Sequence, residues 1–336
     1  MKQALSNQLK DTEFLSITAR VKVFETRLLT REQMEQLLDA RTNEDAARIL
    51  QEHGYPELNP ANPEKMDAAM AVVRQATLDE MTVGLPEPRY LDLFKIKYDY
   101  HNVKALLKAQ AMGVDADRML MDMGRVPATE LRGAVLDGEK AVLPPLLSQA
   151  IGEARGILDT TRDPQLSDIA LDRRYYEDLC SAADALGSDF LRNYVRLQID
   201  ATNLRILVRT LRMGRDTDFL RGAFIPGGSL SPEKLLEAAE KGTLEALCRS
   251  LPLEAAAKAG VQALGGGSLT EFEKLCDDAA DAYLAVSKYV PFGEEPLIRY
   301  LAARETEYLN LRIILTGRQA GIAPDVIRSR LRASTL

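Results

Sequence analysis

Catalysis or metal binding needs reactive side chains that converge on one point, and this sequence supplies few of them. There are two histidines. His53 precedes Gly54, where an imidazole at a helix end can oppose the helix dipole. His101 has no ligand constellation beside it of the kind that holds a metal ion. The cysteines Cys180, Cys248 and Cys276 are odd in number, widely spaced and never paired as Cys-x-x-Cys, so neither a disulfide framework nor a zinc site is expected, and a reducing cytoplasm fits them. Gly265-Gly266-Gly267-Ser268 lacks the lysine and the strand-to-helix context of a phosphate-binding loop. It reads instead as a turn before a helix starting near Leu269, with Ser268 or Thr270 as the cap. Ile225-Pro226-Gly227-Gly228 reads as a linker. The carboxylate pairs Asp277-Asp278 and Glu294-Glu295 sit on adjacent helical positions that diverge, which predicts solvated surface. Tyr175-Tyr176 and the series Met119, Met121, Met123 suit packing. No catalytic residue, cofactor or metal site is therefore assigned.

What does recur is a polar motif. Asp99-Tyr100-His101-Asn102-Val103-Lys104-Ala105-Leu106-Leu107 aligns without gaps to Asp200-Ala201-Thr202-Asn203-Leu204-Arg205-Ile206-Leu207-Val208 and to Glu307-Tyr308-Leu309-Asn310-Leu311-Arg312-Ile313-Ile314-Leu315. The shared pattern is acid, two variable residues, Asn, aliphatic, cation, variable, two aliphatics. His101 matches Thr202 and Leu309, so it stands outside the repeated design. The asparagines are 101 and 107 residues apart (203 − 102 and 310 − 203), about a third of the chain. Asp99/Asn102, Asp200/Asn203 and Glu307/Asn310 flank one helix face, and inter-helix hydrogen bonds at a packed seam are expected of them. Lys104, Arg205 and Arg312 project elsewhere and are expected as exposed cations and interface candidates.

The elements that must carry these motifs read as helices. Apolar residues return at three- and four-residue spacing, as at Leu93, Tyr100, Val103 and Leu107, while alternating strand-like runs are scarce. Thr30 before Arg31-Glu32-Gln33 predicts a capping box, and Ser231-Pro232-Glu233 places proline at a first helical position. Gly54, Gly84, Gly113, Gly187, Gly214 and Gly317 predict helix ends. Each third also opens on short helices, at Arg27-Leu28-Leu29-Thr30-Arg31-Glu32, Arg125-Val126-Pro127-Ala128-Thr129-Glu130 and Ser229-Leu230-Ser231-Pro232-Glu233. The reading is an all-α protein of three similar helical domains, 1–124, 125–226 and 227–336.

Composition bounds what such a protein can do. A chain of 336 residues with a net charge of −7 is large enough for a substantial core and lacks the concentrated basic surface that nucleic acid requires. The stretch Met1–Phe14 lacks the apolar core of a secretory signal. No apolar run approaches the roughly 18 to 20 residues that span a bilayer. Any membrane association is expected to be indirect.

The segments Ala19-Arg20-Val21-Lys22-Val23-Phe24-Glu25-Thr26-Arg27-Leu28-Leu29-Thr30, Lys97-Tyr98-Asp99-Tyr100-His101-Asn102-Val103-Lys104-Ala105-Leu106-Leu107-Lys108 and Glu307-Tyr308-Leu309-Asn310-Leu311-Arg312-Ile313-Ile314-Leu315 resemble the opening, middle and C-terminal elements of the C subunit of V/A-type ATPases, which is the d subunit of the eukaryotic enzymes. The likeness runs from about Leu15 to Leu331. It implies three pseudo-equivalent domains arranged as a funnel, seated between the proteolipid rotor ring and a central axle of the D and F subunits on the cytoplasmic face of the membrane. It also implies torque transmission without a catalytic site, and a monomer when isolated. The rival readings are a helical scaffold for other proteins, which needs no rotor component, and a metal-independent helical enzyme, which needs a deep pocket with convergent polar groups.

Overall fold

A computed structural model of the chain describes residues 9–57, 63–139 and 141–333. The first eight residues of the stretch weighed for an export signal lie outside them. Every regular element among the described residues is helical, so the all-α expectation holds. In chain order the α-helices are α1 (Leu15–Glu25), α2 (Arg31–Asp39), α3 (Asn43–Glu52), α4 (Pro63–Thr82), α5 (Asp92–Met112), α6 (Ala128–Arg132), α7 (Pro145–Thr161) and α8 (Pro164–Leu186). They continue with α9 (Asp189–Arg212), α10 (Thr217–Ala223), α11 (Pro232–Glu240), α12 (Leu244–Cys248), α13 (Glu254–Leu264), α14 (Leu269–Ala285), α15 (Glu294–Gln319) and α16 (Pro324–Arg330).

The repeated motifs occupy three long helices, α5, α9 and α15, and all three stop in the same way. Gly113, Gly214 and Gly321 adopt φ of 66°, 69° and 66°, and the next residue's amide reaches back across the last turn, Val114 to Ala109 O (3.0 Å), Arg215 to Thr210 O (3.2 Å) and Ile322 to Gly317 O (2.9 Å). A left-handed residue after the last turn satisfies carbonyls that the helix leaves open, and glycine adopts it without a Cβ clash. Gly113 and Gly214 end their helices as expected. Gly317 does not: it lies inside α15, where a Cβ would come within 2.8 Å of Ile327, so its role is to let α16 approach.

Helix starts follow local chemistry. The Thr30 hydroxyl accepts from Gln33 N (3.2 Å) and the Gln33 side chain accepts from Thr30 N (2.8 Å), the reciprocal pair expected before α2. Pro232 is the first residue of α11, and Ser268 caps α14 by accepting from Glu271 N at 3.2 Å.

The described chain sorts into two compact units. One contains 87–203 and 217–232; the other contains 9–86, 204–216 and 233–333. In the first, α5 packs on α6, α7 and α8, and buries Ile96, Val103, Leu106 and Leu107. In the second, α15 packs on α1, α2, α3, α14 and α16. Its core joins Leu37, Leu38, Ala46 and Leu50 from α2 and α3 to Tyr308, Leu311, Ile314 and Leu315 from α15 and Ile327 from α16. Each such fully buried leucine or isoleucine contributes about 1.5–3 kcal/mol relative to exposure, so these faces hold the motif helices in place.

Candidate functional site

The repeated acids and asparagines are all buried, none more than 3% exposed. Spacing led us to expect inter-helix hydrogen bonds from them at a packed seam, and the structure shows a different use. Each holds backbone of a non-helical segment, because a loop packed against a helix needs partners for its own amides and carbonyls. Asn102 accepts from Met121 N (2.9 Å) and donates to Met121 O (2.8 Å). Asn203 does the same with Ile225, at 2.8 Å each way. Asn310 does so with Arg332, at 2.8 and 3.1 Å. A side-chain amide has both a donor and an acceptor, so it can replace a strand-like partner for one whole residue.

The acids hold the segment openings. Asp99 Oδ1 accepts from the amides of Arg125 (2.9 Å) and Val126 (3.2 Å). Asp200 accepts from Ser229 N (3.0 Å) and Leu230 N (2.9 Å). Glu307 Oε2 accepts from Leu29 N (2.6 Å). Val126, Leu230 and Leu29 each stand two residues before the first residue of α6, α11 and α2. Motif and opening are thus linked in one register three times, and the third acid serves the opening near the start of the chain.

Charge around the three acids differs. Asp99 Oδ2 pairs with Arg125 Nε (2.8 Å), whose guanidinium continues to Asp178 (2.6 Å). Burial pushes the Asp99 carboxyl above its usual range, and Arg125 and the two amides oppose it. Burial opposes the charge on Arg125 too, but Asp178 and Asp99 outweigh it and hold the guanidinium above its ordinary range. Glu307 is pushed up by burial and opposed by Arg304 (2.5 Å), the Tyr55 hydroxyl and the Leu29 amide. Asp200 is also pushed up by burial, opposed chiefly by the Leu230 and Ser229 amides.

The cations pair with acids one helix away. Lys104 on α5 bonds Asp172 on α8 (2.5 Å), Arg205 on α9 bonds Asp277 on α14, and Arg312 on α15 bonds Asp67 on α4 (3.3 Å). Lys104 and Arg205 are 24% and 23% exposed, against 63% for Arg312, so only the third is the exposed cation expected from sequence. The acidic partners escaped the sequence reading, yet Asp67, Asp172 and Asp277 recur at one interval of 105 residues (172 − 67 and 277 − 172). That spacing was a usable signal. The reading of Asp277, Asp278 and Glu294 as solvated surface is corrected: Asp277 also accepts from Arg332 Nε (2.8 Å), Asp278 accepts from Ala333 N (2.8 Å), and Glu294 is buried.

His53 is the C-cap of α3 and meets Gln33 Nε2 at 3.4 Å, while His101 Nε2 meets Met119 O at 3.0 Å. Cys180, Cys248 and Cys276 form no disulfide among the described residues. Among the described residues no group of three or more His, Cys, Asp or Glu side chains could hold a metal ion, and no helix is long and apolar enough to cross a membrane.

The chain matches the family model described as ATP synthase (C/AC39) subunit over residues 17–330. It is 23% identical over 323 residues to the C subunit of the V-type sodium ATPase of Enterococcus hirae, covering 95% of this chain and 98% of that one. It is 24% identical over 346 residues to the C subunit of the A-type ATP synthase of Methanocaldococcus jannaschii, covering 94% and 85%. It is 30% identical over 223 residues to the C subunit of the V-type ATP synthase of Thermus thermophilus, covering 62% and 68%. A match that spans nearly every element carrying the three motifs is decisive: the chain belongs to the ATP synthase (C/AC39) subunit family, the C subunits of V- and A-type ATPases.

Proposed function

We propose that this chain is the central-stalk coupling subunit of a rotary V/A-type ATPase. In this reading three pseudo-equivalent domains, 1–124, 125–226 and 227–336, form a funnel that seats an axle of the D and F subunits and meets the proteolipid ring at the cytoplasmic face. The chain is peripheral and non-catalytic, and it transmits torque between ATP-linked rotation and ion transport. The observation that carries the proposal is the threefold recurrence of one clamp, acid to opening and Asn to connector, in a member of the C-subunit family. A part that must grip partners around a rotation axis gains from equivalent contact points, and buried clamps keep each from yielding under load. Asp99, Asn102, Asp200, Asn203, Glu307 and Asn310 are structural in this scheme, and Lys104, Arg205 and Arg312 support the central surface through their pairs with Asp172, Asp277 and Asp67.

The test is a pull-down of the purified protein against the detergent-solubilised proteolipid ring and, separately, the D–F axle of the same organism. Capture by each, and a ternary complex when they are mixed, is the expected result. A folded, helical protein that binds neither would overturn the coupling role while leaving family membership intact. Charge reversal at Lys104, Arg205 and Arg312 together is expected to weaken axle binding, and unchanged binding with unchanged helicity would remove the cations from the scheme.

A further inference from the structure

The three clamps are alike in their backbone bonds and unlike in their charges. The first acid is locked by Arg125, which bridges Asp99 to Asp178. The third is locked by Arg304 from one turn earlier on its own helix. In the second, Ser229 stands where Arg125 does, and Leu197 stands where Arg304 does, so neither source of a cation exists. Asp200 is fully buried and forms no ion pair among the described residues. What holds it are the Ser229 and Leu230 amides and the Ser229 hydroxyl.

The connector it holds lies between α10 and α11. It contains Pro226-Gly227-Gly228, with Gly227 at φ 102°. A hollow of about 430 Å³ lies against it, lined by Arg173, Phe224, Ile225, Gly228 and Leu230 among others. The charged and titratable groups around this site are few. Arg196, exposed and one turn back on α9, acts on Asp200 through space and without an ion pair. From α8, Arg173 is occupied with Phe224 O (3.1 Å), and the Cys180 sulfur lies beside Gly227. From α10, Arg221 is near Asp218 at 3.6 Å.

We propose that the second connector is a proton-releasable joint: protonation of Asp200 weakens its hold on Ser229 and Leu230, and the segment 225–231 loosens while the cation-locked clamps at Asp99 and Glu307 stay shut. Carboxylate oxygens accept amide hydrogen bonds far better than a neutral carboxyl does. Burial pushes all three acids upward, so what sets Asp200 apart is the missing guanidinium: a buried carboxylate without a paired cation is the one whose charge is most easily lost. In the first and third clamps a bound guanidinium resists the same proton. Such a joint would work in this chain whether or not it couples an axle to a ring.

Hydrogen exchange of the whole protein, read by mass spectrometry and corrected for the intrinsic pH dependence of exchange, tests it directly. On lowering the pH from about 7.5 to about 5, protection in the segment around Ser229 and Leu230 should fall roughly fivefold or more relative to the segments around Val126 and Leu29. Ser229→Arg, at an exposed position, should supply the missing cation and abolish that difference. Asp200→Asn should show the low-pH protection already at neutral pH. If that variant does not fold, the wild-type series and Ser229→Arg decide. Parallel protection in all three segments, or a Ser229→Arg protein that loosens like the wild type, would overturn the proposal.

Discussion

A Cβ added to Gly124 would stand 2.1 Å from Asp99 Oδ1. The second clamp repeats the relationship, with Gly228 and Asp200 Oδ1 at 2.3 Å. In the third the matching residue is Arg27, and the acid there is Glu307, one methylene longer. The shorter acids need the opening backbone close, and only glycine allows that approach. The longer acid reaches its amide from farther away and leaves room for a side chain. Gly124→Ala and Gly228→Ala should each destabilise the protein by about 1–3 kcal/mol through loss of the acid's hydrogen bonds, whereas Arg27→Ala should change stability by less than about 1 kcal/mol. Urea unfolding of the three variants measures this, and equal costs would show that the glycines are not there for the acids.

The asparagine clamps predict a second series. Removing one side-chain amide leaves a buried donor and a buried acceptor without partners, at about 1–3 kcal/mol for each group left unsatisfied. Asn203→Ala strands the amide and carbonyl of Ile225, which is itself buried, so it should be the costliest of the three. Asn102→Ala and Asn310→Ala strand Met121 and Arg332, which are half-buried and within reach of water, and should cost less. Thermal unfolding ranks them, and an Asn203→Ala protein as stable as the other two would contradict the burial argument.

Asp281 on α14 predicts a pH dependence. It is buried, accepts one hydrogen bond from Thr306 Oγ1 at 3.2 Å, and is pushed up to about 7 by burial, with Asp278 and Asp277 adding to the rise. The unfolded chain releases this proton near 3.8, so between about pH 4 and about pH 7 the folded state holds more protons than the unfolded one. Its contribution to stability is therefore complete below the lower value, declines as the pH rises through that window, and is lost above it. Asp281→Asn keeps the acceptor for Thr306 and cannot ionise. Above pH 7 the variant should be more stable than the wild type by on the order of 2 kcal/mol, with the gap closing toward pH 4. Denaturant unfolding at several pH values checks it; a constant gap would mean that Asp281 does not titrate in this window.

The sequence by itself determined that this protein is helical, where the acid-Asn-cation motif recurs, and which residues start α2 and α11, while before α14 it left Ser268 and Thr270 as alternatives between which the structure chose Ser268. These are local matters: a three- and four-residue apolar spacing needs no distant partner, Thr30 and Ser268 accept from amides within one turn, and Pro232 acts through its own fixed φ at the first helical position. Sequence likeness along nearly the whole chain reached the C-subunit family for a similar reason, since the motif strings are contiguous. What only the tertiary structure decided is what each motif residue holds. Asp99 and Arg125 are 26 residues apart, and Glu307 and Leu29 are 278 apart. No local rule links residues at such separations, because their meeting depends on how whole helices pack. The same limit explains Gly317, which resembles a helix stop in sequence and acquires its true role only when Ile327 of α16 is laid against it. It also explains Lys104 and Arg205, exposed in any helical projection, yet half-buried once Asp172 and Asp277 are brought against them by packing.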